Sequence, residues 1–413
     1  MRWDQRMIEP LRVAIVGGSL GGLTAALVLR DAGCRVELLE RSSAALDSRG
    51  AGIVLHPMTV RYFLEKGILE PGRISTAASR LRYLAADGRV IDESPCGYLF
   101  TAWNTLYGAL LGCLGRDSYH LGQTMVGFEP DGDQVRVSLA DGHELACDLL
   151  VCADGISSVA RARLLPRIRQ HYAGYVGWRG TVPEADLSRA ALGELAEVIN
   201  YHLMAGSHVL TYPIPSQDGN LDVGHRLTNF VWYRNVPEGR ALEELMTDRW
   251  GARREISVPP GAVREEFREE LREAAKALPP AIAEAVRKTA EPFIQPIVDV
   301  DVPKLAFGRV CLIGDAAFVA RPHAAAGTAK AAADAWSLRE ELLASDWNLE
   351  VALPAWERRQ LELGKDLLAR VRAMGDSSQF GAGWRAGDPS LRFGLFAAGD
   401  SEPEGGYQAV RWA

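Results

Sequence analysis

Apolar and polar positions follow two different periods along this chain, and the places where the period changes mark its organisation. Residues 11–16 are a strand-like, mostly apolar run that ends in glycines. Leu23, Ala26 and Leu27 then recur at helical spacing, and Gly33 stands where a helix stop belongs. A second strand follows and ends at Glu40, so the chain opens strand, helix, strand. A glycine-containing stretch at 49–53 precedes a helical segment around 60–66. Val135, Val137 and Leu139 alternate into an Asp141-Gly142 turn and out through Leu145, the pattern of a hairpin over 134–147. A short apolar strand at 149–153 ends at Asp154-Gly155.

From about 172 to 236 the texture becomes aromatic and β-branched with few helix signals, which predicts a separate sheet. Residues 263–290 are charged and helical in pattern, a helix pair broken at Pro279-Pro280. The α/β signature then returns with a buried strand at 309–313, Gly314-Asp315, a loop through Pro322, and an alanine-rich helix over about 327–344. From Gly375 onward the chain reads as glycine-rich and weakly patterned. With 413 residues, 47% of them hydrophobic, it has material for two cores.

Charge narrows the partners. A formal net charge of -7 and a pI near 5.7 argue against a nucleic-acid surface, which needs a basic face. The six cysteines form no C-x-x-C pair and none has a histidine at ligand spacing, so no metal site is expected and the thiols read as reduced. Neither a signal peptide nor an apolar run of about 20 residues is present, and the expected compartment is the cytoplasm.

Three motifs carry chemistry. The first is Gly17-Gly18-Ser19-Leu20-Gly21-Gly22 with Glu40 closing the next strand. In a dinucleotide site the glycines allow a tight turn, a close approach to the pyrophosphate and close helix packing, while the helix start offers free N–H groups and an acidic residue about 20 positions on takes the ribose. Ser19 stands where the second glycine would be; it is small, and its hydroxyl can donate to a phosphate. The second motif is the run from Asp154-Gly155 to Arg161, and the third is Gly314-Asp315-Ala316-Ala317. Taken singly, either is as readily a turn with a capping aspartate.

Together, in this order, the three motifs resemble the fingerprint of the flavoprotein aromatic hydroxylases, the family of p-hydroxybenzoate and salicylate hydroxylases. Further segments, among them Trp178-Arg179-Gly180, Tyr212-Pro213-Ile214-Pro215 and the run Arg321-Pro322-His323-Ala324-Ala325-Ala326-Gly327, are similar to the hydroxypyridine hydroxylases within it. The resemblance implies an α/β fold: a Rossmann-like, glutathione-reductase-like FAD-binding domain over 8–170, with strands near 80–100 joining a second domain. That β-rich substrate domain is inserted at 171–295; the FAD-binding domain resumes at 296–375 with C-terminal helices, and a tail covers 376–413. It implies FAD held by Gly17, Ser19, Leu20, Gly22, Glu40, Arg41, Gly52, Met125, Asp154, Gly155, Asp315, Ala326 and Gly327, with Glu40 on the ribose and Asp315 on the ribitol chain. Gly50-Ala51-Gly52-Ile53 resembles the segment beside the isoalloxazine. NAD(P)H would be a transient reductant, since no second glycine-rich unit holds it. The chain departs from the family at Trp103, where many relatives have arginine, at Phe318, where histidine is common, and at Ala325-Ala326-Gly327 in place of Gly-x-Gly.

The implied reaction hydroxylates an electron-rich ring through a flavin hydroperoxide, with O2 and a small aromatic molecule as partners, no nucleic acid and no membrane, and a homodimer left open. His323, Arg321, Tyr212 and His225 are the candidate catalytic residues, with Trp178, Arg179 and Tyr233 as further substrate contacts. His323 is expected to hydrogen-bond or deprotonate a ring hydroxyl. Two other readings stand beside this one: a flavin-dependent epoxidase or dehydrogenase acting on a polyketide-like substrate, and a non-catalytic FAD-binding protein.

Overall fold

A computed structural model of the chain describes residues 10–46, 52–115, 117–381, 384–388 and 393–395. Gly50, Ala51 and most of the 376–413 tail lie outside the described residues. The opening strand Arg12–Val16 sits at the centre of a parallel sheet, between Leu149–Cys152 and Arg35–Glu40. Val310–Leu312 and Tyr119–Leu121 extend it in parallel, and Ala306–Phe307 closes one edge antiparallel. The run Leu149–Cys152 is wholly buried, as a central strand covered on both faces requires.

Helix Leu20–Asp31 packs on this sheet and is buried over most of its length, with Gly33 at φ +105 just beyond its end. Helix Gly327–Ala344 lies against it. Side chains added at Gly21 and Gly314 would stand 3.1 and 3.2 Å from the Ala331 methyl, so the alanines allow both turns to press on one helix.

The second sheet has eight strands in the order Phe293–Asp299, His171–Pro183, Leu227–Asn235, Ser207–Ile214, Val198–Met204, Thr76–Leu84, Val90–Ala102, Gly52–Val54. One face carries Val176, Trp178 and Val182 into a core with helices Glu265–Ala274 and Pro280–Lys288, which part at Pro279-Pro280 as the sequence predicts. The other face is turned toward the first sheet. The expected hairpin pairs Gln134–Leu139 with Glu144–Cys147, and Met125–Asp131 joins it as a third strand. No helix among the described residues is long and apolar enough to cross a membrane.

The largest difference from the sequence reading is helix Leu349–Gln379, 31 residues that continue four positions past Gly375. Its buried stripe keeps helical spacing but includes Gln360, Gly364, Gly375 and Gln379, so the apolar signal fades where the packing is tightest. A Cβ at Gly375 would sit 2.4 Å from the Tyr175 hydroxyl, which explains the glycine.

Arg321 is not aimed at a ligand. Its guanidinium, 6% exposed, pairs with Asp299 at 2.9 Å and with Asp376 at 2.6 Å, bolting its loop to this helix. Asp299 is 1% exposed and also meets the partly exposed Arg372. Replacing Arg321 by Met leaves Asp299 with that partner alone and should cost about 3 kcal/mol, read as a lower denaturation midpoint. An unchanged midpoint would show that Arg372 satisfies Asp299 unaided.

Candidate active site

A cavity of about 380 Å³ opens between the glycine turns of the parallel sheet and the inner face of the eight-stranded sheet. Its first wall is backbone. Gly17 takes φ +105, and a Cβ there would lie 2.2 Å from the Ala153 carbonyl oxygen; one at Gly22 would lie 1.8 Å from that of Gly17. Only glycine fits either place. Ser19 begins helix Leu20–Asp31 without a side-chain cap, and Ser19, Leu20 and Gly21 line the cavity. Glu40 is buried and accepts from the Gly18 N–H at 2.8 Å and the Ser42 N–H at 2.9 Å, so it braces the turn from behind. Arg41 is exposed and Met125 is packed in the core; neither lines the cavity.

The second and third motifs meet here as well. Asp154 accepts from the Ser158 hydroxyl at 2.6 Å and the Ala160 N–H at 3.2 Å, which caps helix Val159–Leu164, while Gly155 lines the cavity. The buried Arg161 donates to the carbonyls of Asp315, at 3.0 Å, Ala316, at 2.9 Å, and Ile156. It ties one motif to the other, a role the sequence left unread. Gly314, at φ +57, donates its N–H to Asp334 at 2.9 Å, and Asp334 is gripped by Lys330 at 2.6 and 2.8 Å in a fully buried pair. The only sequence signal for this pair is a Lys and an Asp four apart in an alanine helix.

Asp315 itself reaches the cavity. Its side chain is exposed to the cavity, and the protein crowded around it raises its carboxyl above the usual value, against the pull of Arg161 and Lys330. Gly327 and Thr328 bring the uncapped start of helix Gly327–Ala344 to the same space; Ala326, its buried N-cap, does not line it. Ala325 stands in the left-handed region at φ +51, where a glycine would be unstrained, and its carbonyl accepts from His56 Nε2 at 2.9 Å.

The second wall is the sheet. Tyr212 donates to the Gly52 carbonyl at 2.9 Å and stacks on Phe100 at 4.3 Å, and Gly52 donates to Asn229 at 3.2 Å. Arg179, Leu210, Val231 and Tyr233 complete that face, and Trp103, stacked on Tyr107 at 5.0 Å, also lines the cavity. Phe318 packs instead against Gly364. Of the candidate catalytic residues, Tyr212 alone is brought to the cavity. His225 is exposed in a turn. His323 does not line the space: Pro322 and Ala325 take that side of the loop, and the histidine turns inward, sharing a 2.7 Å hydrogen bond with the Tyr175 hydroxyl. Its ring stands 4.8 Å from Tyr233 and 5.4 Å from His208, and burial, with the nearby His208, Arg321 and Arg179, holds its pKa well below the ordinary value. His208, hidden in an apolar strand, was not read from the sequence.

Comparison with known proteins decides the cofactor. A 2,6-dihydroxypyridine 3-monooxygenase of Paenarthrobacter nicotinovorans is 37% identical over 93% of this chain and 96% of its own length. The chain belongs to the flavoprotein aromatic hydroxylases. A solved structure of 2,6-dihydroxypyridine-3-hydroxylase from Arthrobacter nicotinovorans superposes with a TM-score of 0.89, covering 95% of this chain and 98% of that one at 37% identity. A salicylate hydroxylase of Pseudomonas putida is 28% identical over 79% of this chain and 75% of its own. A family model described as FAD binding domain-like matches residues 172–299. The protein is thus an FAD-dependent monooxygenase that takes NAD(P)H as reductant, and these relatives support ring hydroxylation over epoxidase or dehydrogenase chemistry. The residues present fit FAD: a glycine cradle no side chain can enter, two uncapped helix starts facing one cavity, and a carboxylate between them.

Asp315 yields a test with a defined sign. Because folding raises its pKa, its ionisation opposes folding as pH rises through the folded pKa, and only weakly, since the side chain is exposed. Asp315→Asn apoprotein should therefore melt no lower than wild type at neutral pH, with any advantage gone near the ordinary carboxylate value of 3.8, while binding FAD more weakly. Earlier melting with normal FAD affinity would make it a helix cap.

Proposed function

We propose that this chain hydroxylates a small electron-rich ring, hydroxypyridine- or phenol-like, held between Tyr212, Tyr233 and the flavin end of the cavity. The observation that carries this is that the dinucleotide turns and an aromatic-lined sheet face share one space, small for a site that admits both a flavin and a substrate. The dihydroxypyridine named for the 37% identical relative supports the ring class.

Bound FAD, once reduced by NAD(P)H, would activate O2 so that one oxygen atom enters the ring and the other leaves as water. The chain's own groups do the rest. The N–H groups around Ser19 and Leu20 would hold the pyrophosphate and Asp315 the ribitol chain, and Glu40 would take the ribose with the oxygen lone pairs left over from its two backbone hydrogen bonds. The positive start of helix Gly327–Ala344, which lines the cavity, would stabilise the negative charge a bound flavin gains on reduction. Gly52, fixed by Tyr212 and Asn229, would offer strand backbone to the flavin ring. Leu210, Val231 and Phe393 exclude water. His323 acts from behind the wall, through Tyr175 and Tyr233, as a positioning residue. The cytoplasm, small-molecule partners and no nucleic acid complete the reading.

Purified holoenzyme tests it. With 2,6-dihydroxypyridine, simple phenols and hydroxylated polyketides offered in turn, a small ring should raise NAD(P)H oxidation by about an order of magnitude or more and emerge one oxygen atom heavier. Stimulation by polyketides alone, or by no ligand, would sink the proposal.

A further inference from the structure

Three rows of residues cross the cavity face of the eight-stranded sheet. Strand register sets Thr181, Asn229 and Tyr212 in one, Arg179, Val231 and Leu210 in the next, and Gly177, Tyr233 and His208 in the third. Gly177 has no side chain, and a Cβ there would stand 3.4 Å from the Tyr233 ring. The middle row is apolar apart from Arg179, and Arg179 and Asp315 are the only charged side chains lining the cavity among the described residues. They stand on opposite walls.

The half-buried Arg179 differs from the buried Arg161, Arg226 and Arg321. Arg161 donates to three carbonyls, Arg226 pairs with Glu184 at 3.0 Å, and Arg321 pairs with Asp299. Among the described residues Arg179 has no carboxylate within 4.0 Å, and its Nε is buried without a hydrogen-bond partner. Arg179 is half-buried in register with Val231 and Leu210, and its side chain hydrogen-bonds that of Tyr233, a neutral partner. The cost of burying the unpartnered Nε is offset once an anion is bound. The groups within reach of its charge are Tyr212, Tyr233 and His323, with Tyr175, Arg321 and His208 behind them. None of these supplies a negative charge: burial raises the phenols' pKa against the pull of Arg179 and lowers that of both histidines.

We propose that Arg179 is the specificity-determining residue of the site and takes the ionised oxygen of the ring, so that the enzyme selects pyridinolate or phenolate anions over neutral rings of the same shape. The inference rests on the ring-hydroxylase reading above. It also assigns the ring's place, with its oxygen at the guanidinium and its body over Val231 and Leu210.

The test uses holoenzyme and two probes, 2,6-dihydroxypyridine and 4-nitrophenol, whose ionised form has its own absorption band. Binding is titrated by flavin fluorescence from below to above each probe's pKa. In wild type, affinity should rise through that pKa and then level off, and bound nitrophenol should show the ionised band even below it. Arg179→Gln should weaken binding of the ionised form about 10- to 100-fold, flatten the pH profile and keep its FAD, and Arg179→Lys should restore part of both. A Gln variant with unchanged affinity and pH profile overturns the proposal, and so does one whose loss of ligand affinity merely follows loss of FAD. A wild-type enzyme that hydroxylates a ring with equal affinity on both sides of its pKa overturns this inference alone. One whose NAD(P)H oxidation responds to no ring overturns the functional reading, and this inference with it.

Discussion

The site depends on one close contact: Gly21 and Gly314, from turns nearly 300 residues apart, both pressed on Ala331. With larger side chains at any of the three positions the turns separate and the backbone wall of the cavity is lost. Two buried devices hold the contact. Arg161 ties the carbonyls of Asp315 and Ala316 to the second motif, and the Lys330–Asp334 pair captures the Gly314 N–H from inside the helix. Ala331 is therefore a geometric requirement, and Lys330 with Asp334 acts as a clamp for backbone.

Polar groups around the cavity divide into those already engaged and those left open. Asp154, Glu40 and Arg321 have internal partners that explain their burial. Among the described residues the helix starts at Ser19 and Ala326 and the carboxylate of Asp315 have no such protein partner at the cavity, and they stand where a dinucleotide would run. This contrast is a physical guide to function, because desolvating a polar group without a partner costs stability and survives where a ligand supplies the missing interaction.

What could be read from the sequence follows from the same physics. Gly17 and Gly22 were legible because a clash with backbone admits one residue type, and Glu40 because strand length sets its distance. Turn chemistry revealed the hairpin at Asp141-Gly142 and the break at Pro279-Pro280. Side-chain direction was not legible. His323 leaves a short turn whose cavity side belongs to Pro322 and Ala325, and it finds Tyr175, 148 positions away, over a helix that must be glycine at 375. Arg321 read as a ligand anchor because Asp299 and Asp376 reach it only through the fold. The extension of the long helix past Gly375 was missed because its buried stripe is partly polar, and Lys330 with Asp334 because a charged pair on a helix is ordinarily a solvated one.

The most direct test is a crystal structure of the holoenzyme with 2,6-dihydroxypyridine. The flavin ring should lie along Gly52 and the start of helix Gly327–Ala344, with the substrate ring against Val231 and Leu210 and within contact of Tyr233. A flavin seated elsewhere, or a substrate ring found away from that sheet face, would contradict the claim that one cavity serves both.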